Sequence, residues 1–325
     1  MLKQKIIIKI CCFVLLFFSN SCLNNQKVLP ESTGLVNEIV VVYDEKNPML
    51  SHKDIFNLFS TPTKGLSRYE PEFKVISIKT SEFSNFFKTH TNILIVNDNQ
   101  LSFEKLKPNT DNKVSYINNV WSQDQLVVVI NTHNVQIKDV LYNLKKSKDT
   151  FLEKEINYVR KSLIKKSRKI FDISTNKAYP KNIIIPNEYT IIKDSSDIFW
   201  AAHNPANSEQ IKHILIFSLN PKTHLTNKDT SLLESNTVIT NKVNSVLKLI
   251  RGSKKNSHIT IESEFPIQCS NNICRGLWRL ENGFMGGPFL YKIYPNSQNT
   301  TIALGLVFYP NKNKRVEMKK FEAGL

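Results

Sequence analysis

The chain reads as an α+β protein with mixed and antiparallel sheets, a few packed helices, and two halves that permit a duplicated architecture. Three observations predict this. Short apolar, β-branched runs recur, among them Ile39-Val40-Val41-Val42-Tyr43 and Leu126-Val127-Val128-Val129-Ile130, as buried strands require. Two longer stretches, Gln136 to about Phe171 and Leu232 to Ile250, carry apolar residues at helical spacing instead. From His258 onward, apolar runs follow one another with turn residues between them, which points to an antiparallel meander.

In chain order, the first strand is Ile39 to Tyr43. A short helix around Asp54 to Phe59 follows, entered through Ser51, whose hydroxyl suits a helix start. Thr61-Pro62-Thr63-Lys64-Gly65 is a turn by composition. Phe73 to Ile78 is apolar on both faces and reads as a strand buried on both sides. A helix over Ser81 to Lys88 and a strand over Asn92 to Val96 come next, then the Leu126 to Ile130 strand. In the long helix, Phe151, Ile156, Val159, Leu163 and Ile170 share a face, with Lys154, Arg160, Lys161, Lys165, Lys166, Arg168 and Lys169 between them. Such a basic amphipathic helix either packs on its own sheet or lies on a membrane surface. Packing is the expectation, because the neighbouring strands need its apolar residues.

Residues 38–173 form the expected N-terminal half, 174–182 a connector, and 183–325 a strand-rich C-terminal half. The latter has strands at Ile183 to Ile185, Tyr189 to Lys193, Ile198 to Ala202 and Ile211 to Leu219. The Leu232 to Ile250 helix ends at Gly252. Strands at His258 to Glu262, Gly276 to Glu281, Phe284 to Tyr294 and Thr300 to Tyr309 are separated by turns that include Asn282-Gly283 and Pro295-Asn296. A short helix from Arg315 to Ala323 closes the chain.

The amino terminus carries an address. Lys3 and Lys5 lead into an apolar run from Ile6 to Phe18 interrupted by Lys9, and Ser19-Asn20-Ser21 brings the chain to Cys22. The run is about a dozen residues, the length of a secretory core and short of the ~20 that span a bilayer. Residues 1–21 therefore read as a lipoprotein signal peptide, with cleavage before Cys22 and acyl chains such as palmitate on the mature terminus. Asn20 and Ser19 depart from the usual cleavage box, and an ordinary signal peptide or an uncleaved anchor are the competing readings. Residues 22–37, with Asn24, Asn25, Gln26, Pro30, Ser32 and Gly34, have the composition of a tether. No acidic residue follows Cys22 directly, which leans towards the outer membrane, with the folded part facing the periplasm.

The chain has 325 residues and formal charge +16, with 19 Phe, 10 Tyr and 3 Trp. It is long enough for a substantial core. Its basic balance would suit nucleic acid, anionic lipid or acidic glycan. Export removes nucleic acid from the partners, and abundant Lys, Asn and Ile explain much of the charge as compositional bias. Of five cysteines, Cys11 and Cys12 leave with the leader. Cys269 and Cys274 read as a local disulfide or two free thiols in an oxidising compartment, since no nearby histidines complete a zinc site. No cofactor or metal is expected.

Chemistry is thinly signalled. The sequence contains no nucleophile elbow, no His-Glu-x-x-His, no phosphate loop and no dinucleotide fingerprint. Seven histidines are scattered without i+3 or i+4 pairing. Two clusters crowd charge, aromatics and glycine: Arg68 to Phe73, and Arg275-Gly276-Leu277-Trp278-Arg279 followed by Gly283-Phe284-Met285-Gly286-Gly287-Pro288-Phe289. The paired glycines serve either a ligand pocket or a tight sheet contact, and the sheet contact is favoured. Glu70, His90, Arg275, Trp278, Met285, Gly286 and Gly287 are the candidate ligand or interaction residues. Trp121, Trp200 and Trp278 either line a sugar groove or fill the core.

On these stretches the chain resembles an uncharacterised Bacteroidetes lipoprotein family, domain of unknown function 4837. The matching residues are Asn37 to Asp44, Gly65-Leu66, Glu70-Pro71 with Phe73, His90 with Asn92-Ile93-Leu94, and Val120-Trp121 with Gln125. Later come Arg275-Gly276-Leu277-Trp278, Met285-Gly286-Gly287-Pro288-Phe289, Tyr309-Pro310 with Lys314-Arg315, and Glu322-Ala323. The resemblance spans nearly all of the mature chain. It implies a lipid-anchored envelope protein and supplies no reaction. Thr91 stands where an arginine is expected. The resulting expectation is a non-enzymatic binding or assembly component, attached to the membrane by its lipid and meeting an envelope protein or glycan. The alternatives are a glycan-binding protein or hydrolase acting on envelope polymers, and a scaffold pressing its basic helix onto anionic lipid.

Overall fold

In the computed structural model, residues 28–45, 50–97, 106, 113–167, 183–219, 232–295 and 300–325 are described. Cys22, the leader and the 174–182 connector lie outside them. The fold is α+β, with two sheet-rich parts.

The first sheet has the order β2-β1-β3-β5-β4, built from β1 (Glu38–Tyr43), β2 (Lys74–Lys79), β3 (Asn92–Asn97), β4 (Val114–Asn118) and β5 (Leu126–Asn131). Strands β2, β1, β3 and β5 run parallel, and β4 closes the edge antiparallel. Parallel strands are covered on both faces, and so they read as unbroken apolar runs; Ile39 to Val42 and Leu126 to Ile130 are buried throughout. On one face lie α1 (His52–Phe59), capped by Ser51, and the first half of α3 (Ile137–Lys166). Ile55, Phe59, Phe73, Leu144 and Phe151 meet there. The other face packs on Phe83, Phe87, Leu106 and Trp121.

The second sheet is antiparallel throughout, in the order β10-β11-β12-β13-β8-β7-β6, with β9 beside β11. Its strands are β6 (Thr190–Asp194), β7 (Ile198–His203), β8 (Ile211–Leu219), β9 (Ile259–Ile261), β10 (Gln268–Ser270), β11 (Ile273–Leu280), β12 (Gly286–Pro295) and β13 (Thr300–Phe308). Helix α4 (Leu232–Leu247) covers one face, and α5 (Arg315–Gly324) covers the other. The expected meander is present as β11-β12-β13. Its first hairpin turns through Asn282 at φ 56, a left-handed conformation asparagine tolerates. The two sheets thus differ in topology, one mostly parallel and the other antiparallel.

Helix α3 joins the two parts. Its 30 residues extend about 45 Å at 1.5 Å per residue. Phe151 therefore sits in the first core, while Val159 and Leu163 reach Ile184 and Ala323 beside the second. The packed reading of this basic helix holds among the described residues.

Three local expectations change. Ile183 to Ile185 is extended and buried but joins no sheet; the Ile184 N–H donates to Gly324 O at 2.8 Å, so α5 occupies the position a strand partner would take. The helix expected over Ser81 to Lys88 splits into a 3₁₀ turn at Thr80–Glu82 and α2 (Asn85–Lys88), separated by Ser84 as a new cap. The end of the expected tether is docked: Thr33 N donates to Thr89 O, and Thr33 O accepts from Thr91 N, each at 2.9 Å. Of the polar side chains that suggested a tether, Ser32 Oγ accepts from the Thr91 hydroxyl at 2.7 Å; Asn24, Asn25 and Gln26 lie outside the described residues.

Candidate functional site

The candidate residues separate into three places. His90 precedes β3 and is buried, its Nε2 3.3 Å from Glu38 Oε2 and its Nδ1 3.1 Å from Asn92 O. Gly34, at φ +102, lies against the imidazole where any side chain would collide. The amide of Gln125 donates to His90 O and Lys88 O and accepts from Trp121 N. Asn92 Nδ2 donates to Glu155 Oε1 at 2.7 Å, and Lys154 Nζ donates to Asn92 Oδ1 at 2.9 Å. Burial lowers the Lys154 ammonium to about 8. Much of the family-like pattern in this region therefore ties a strand end to its loop and to α3.

Glu70 and Arg275 stand where the two parts meet. Glu70 Oε1 accepts from Lys314 N at 2.9 Å and Oε2 from Arg315 N at 2.7 Å. A buried carboxylate thus caps α5 from the other part of the chain, at the positive end of the helix dipole. Arg275 Nη2 reaches Glu322 Oε1 at 3.1 Å, and Gly65 at φ +77 packs against the Arg275 stem. Burial pushes the Glu322 carboxyl up, but Lys319 and Arg275 outweigh it and hold the group below its usual range. Arg275 lines a polar cleft of about 540 Å³ with Glu72, Lys148, Arg315 and Glu322; Glu70 and His90 are not among its walls. Lys148 and Glu72 pair at 2.5 Å, and Glu322 takes both Arg275 and Lys319.

Trp278 and Met285 lie elsewhere, in an apolar pocket on the α4 face of the second sheet. The α4 helix stops at Leu247, and beyond its end the chain through Ile250 to Ser253 lines the pocket. The space left, about 590 Å³, is walled by Trp200, His213, Ile250, Trp278, Met285 and Phe308. That is within the ordinary size of small-molecule sites. Trp278 is 2% exposed, and its ring stands 6.5 Å from that of Phe308. The Trp200 N–H donates to His213 Nδ1 at 3.1 Å. Burial pushes the His213 imidazole down to about 4, so it is neutral at pH 7 with its proton on Nε2. Among the described residues, the Trp278 indole nitrogen has no hydrogen-bond partner.

Gly286 and Gly287 serve the sheet. Trp278 is the cross-strand partner of Gly287, and a β-carbon on Gly287 would strike Val307 O. The glycines permit close strand approach, and that approach seats Trp278 in the wall. The disulfide between Cys269 and Cys274 joins the β10–β11 pair at the far edge. Trp200 was named only with Trp121 and Trp278 for a sugar groove, and Trp121 lies instead against the first sheet; His213 and Phe308 were not among the candidates. Trp200, His213 and Phe308 come from β7, β8 and β13 and meet only through strand register. Among the described residues, no group of three or more His, Cys, Asp or Glu could hold a metal ion, and no helix is long and apolar enough to cross a membrane.

Comparison with known proteins divides the chain near the middle. Residues 32–165 match a second model, Domain of unknown function (DUF8532), so the family resemblance drawn over nearly the whole mature chain is corrected to its C-terminal part. No curated protein matches significantly. Among solved structures, LpqN, involved in cell envelope biogenesis of Mycobacterium tuberculosis, aligns at 10% identity over 46% of this chain and 83% of its own, with a TM-score of 0.24. That score is too low to lend this chain a function. Residues 167–325, which hold the antiparallel sheet and the apolar pocket, match the model Domain of unknown function (DUF4837).

Proposed function

We propose that the protein is a lipid-anchored component of the cell envelope, held to the outer membrane through Cys22 and facing the periplasm, that binds an apolar ligand without chemical turnover. The observation that carries the binding role is the apolar pocket of about 590 Å³ at the end of α4. Large exposed apolar concavities are costly to leave empty in water, and this one sits on a rigid antiparallel sheet suited to a fixed binding surface. The anchor rests on the basic start, short apolar core and Cys22 of the leader. Two or more acyl chains at ~0.8 kcal/mol per buried methylene give stable attachment.

The hydrolase alternative draws no support from the residues named for it. Glu70 is committed to the α5 backbone, His90 to Glu38 and Asn92, and Arg275 to Glu322. Binding of isopropylbenzene to the delipidated protein, followed by calorimetry, tests the pocket. Saturable binding in the wild type, abolished in a folded Met285→Trp variant that fills the space, supports the role; no heat from either protein removes it.

A further inference from the structure

We infer that the β11–β12 turn and the basic loop beside it form a contact surface for an anionic lipid bilayer, separate from the acyl anchor, with Phe284 as the side chain that enters the apolar layer. Phe284 lies in that turn and is 93% exposed. Single exposed apolar side chains are ordinary on protein surfaces. What sets this one apart is its company.

Strand β9 pairs with β11 through Ile259 and Leu280, which brings the loop before β9 against the turn. Two hydrogen bonds hold them together: Glu281 N donates to His258 O, and Ser257 Oγ donates to Glu281 O, each at 2.8 Å. Gly252 packs on Ser257 and Leu280 without room for a β-carbon, so the loop folds back onto the turn. The segment from Lys248 to Ser257 carries Lys248, Arg251, Lys254 and Lys255 and no carboxylate. All four cations are exposed, as is Leu249 between the first two. The ion pairs beside the turn join Arg279 to Glu262 and Glu281. Among the described residues, none takes up the four loop cations.

A bilayer fits this pairing of features better than an acidic glycan does. A glycan would be held by the cations alone and would leave the ring in water. An anionic leaflet offers headgroup charge at the level of the lysines and apolar chains just beneath, and aromatic rings are favoured at that boundary. Met285, the next residue after Phe284, lies in the pocket wall with Ile250 and Arg251. The contact therefore sets the pocket rim beside the acyl layer, a consequence that rests on the pocket being a binding site.

Vesicle flotation tests the surface, using the full mature chain with Cys22→Ala so that no acyl group contributes. Binding is expected to vesicles of phosphatidylcholine with phosphatidylglycerol at low salt, weakened by added salt, and not to phosphatidylcholine alone. Replacing both Lys254 and Lys255 with alanine should weaken partitioning roughly thirtyfold, at ~1 kcal/mol for each charge near the surface. Phe284→Ser should weaken it roughly tenfold through lost apolar burial. These side chains are exposed and outside the pocket wall, so isopropylbenzene binding should be unchanged in both variants. Absence of binding to the anionic vesicles overturns the surface and leaves the pocket's role to the isopropylbenzene result. Binding lost with the two lysines but unchanged in Phe284→Ser also overturns the bilayer contact, and marks the loop as a site for a soluble polyanion. Flotation as expected without isopropylbenzene binding removes the pocket reading and leaves the surface standing.

Discussion

Replacing Glu70 with alanine tests how the C-terminal helix is held to the rest of the chain. The carboxylate is 6% exposed and accepts from Lys314 N and Arg315 N at 2.9 and 2.7 Å. Arg315 Nη1 in turn donates to Pro71 O at 2.5 Å. Removing the carboxylate leaves two backbone donors and a guanidinium without their counter-charge. Hydrogen bonds to a charged group contribute ~1.5–3 kcal/mol each, and loss of an N-terminal cap costs ~0.5–2 kcal/mol. These overlap, since both describe the same two donors, so the expected cost is about 3 kcal/mol. Glu70→Gln, which retains one acceptor oxygen, should cost about 1 kcal/mol. Urea unfolding, with the slope shared between variants, reads the difference directly. Glu70→Ala within about 0.5 kcal/mol of wild type, the range of ordinary surface substitutions, would refute the reasoning that this carboxylate docks α5.

Other outcomes follow from the same structure. His213 falls from 6.5 to about 4 through burial; its neutral form is favoured by folding, so that stability is complete above about pH 6.5 and lost as pH falls towards 4, by ~3 kcal/mol in all. Wild type should therefore lose stability between pH 7 and 4.5 more steeply than His213→Gln, and parallel curves would contradict this. Cys269→Ser opens the Cys269–Cys274 loop and should cost about 2 kcal/mol in the chain-entropy account, checked by unfolding against the oxidised wild type under non-reducing conditions, with the reduced wild type expected to match the variant. Gly287→Ala forces a β-carbon onto Val307 O and should cost about 1–3 kcal/mol through overpacking. Its emission spectrum should also report a displaced Trp278.

The sequence made the elements legible where burial is two-sided or turn chemistry is explicit. Val40 to Val42, Leu126 to Ile130 and the Asn282 hairpin are such cases. It missed β4, because Val114 to Asn118 is a half-buried edge strand whose Ser115 and Asn118 dilute the apolar pattern. Strand order lay beyond it as well. Nothing local in Phe73 to Ile78 says that its partner is Glu38 to Tyr43 in parallel register. The candidate site was half legible for the same reason. The Arg275 to Phe289 block drew attention through its glycines and tryptophan, and Trp200 through its residue type alone, but His213 and Phe308 sit in two other strands without local distinction. Glu70 and Arg275 looked like ligand groups because their partners, Lys314, Arg315 and Glu322, lie about 240 and 50 residues further along and are invisible to spacing rules.

Native mass spectrometry of the protein extracted from its own envelopes in mild detergent bears most directly on the binding role. The account predicts an apolar molecule retained by the wild type and missing from a folded Met285→Trp protein. A wild-type spectrum with no such adduct, or an adduct retained equally by Met285→Trp, would contradict it.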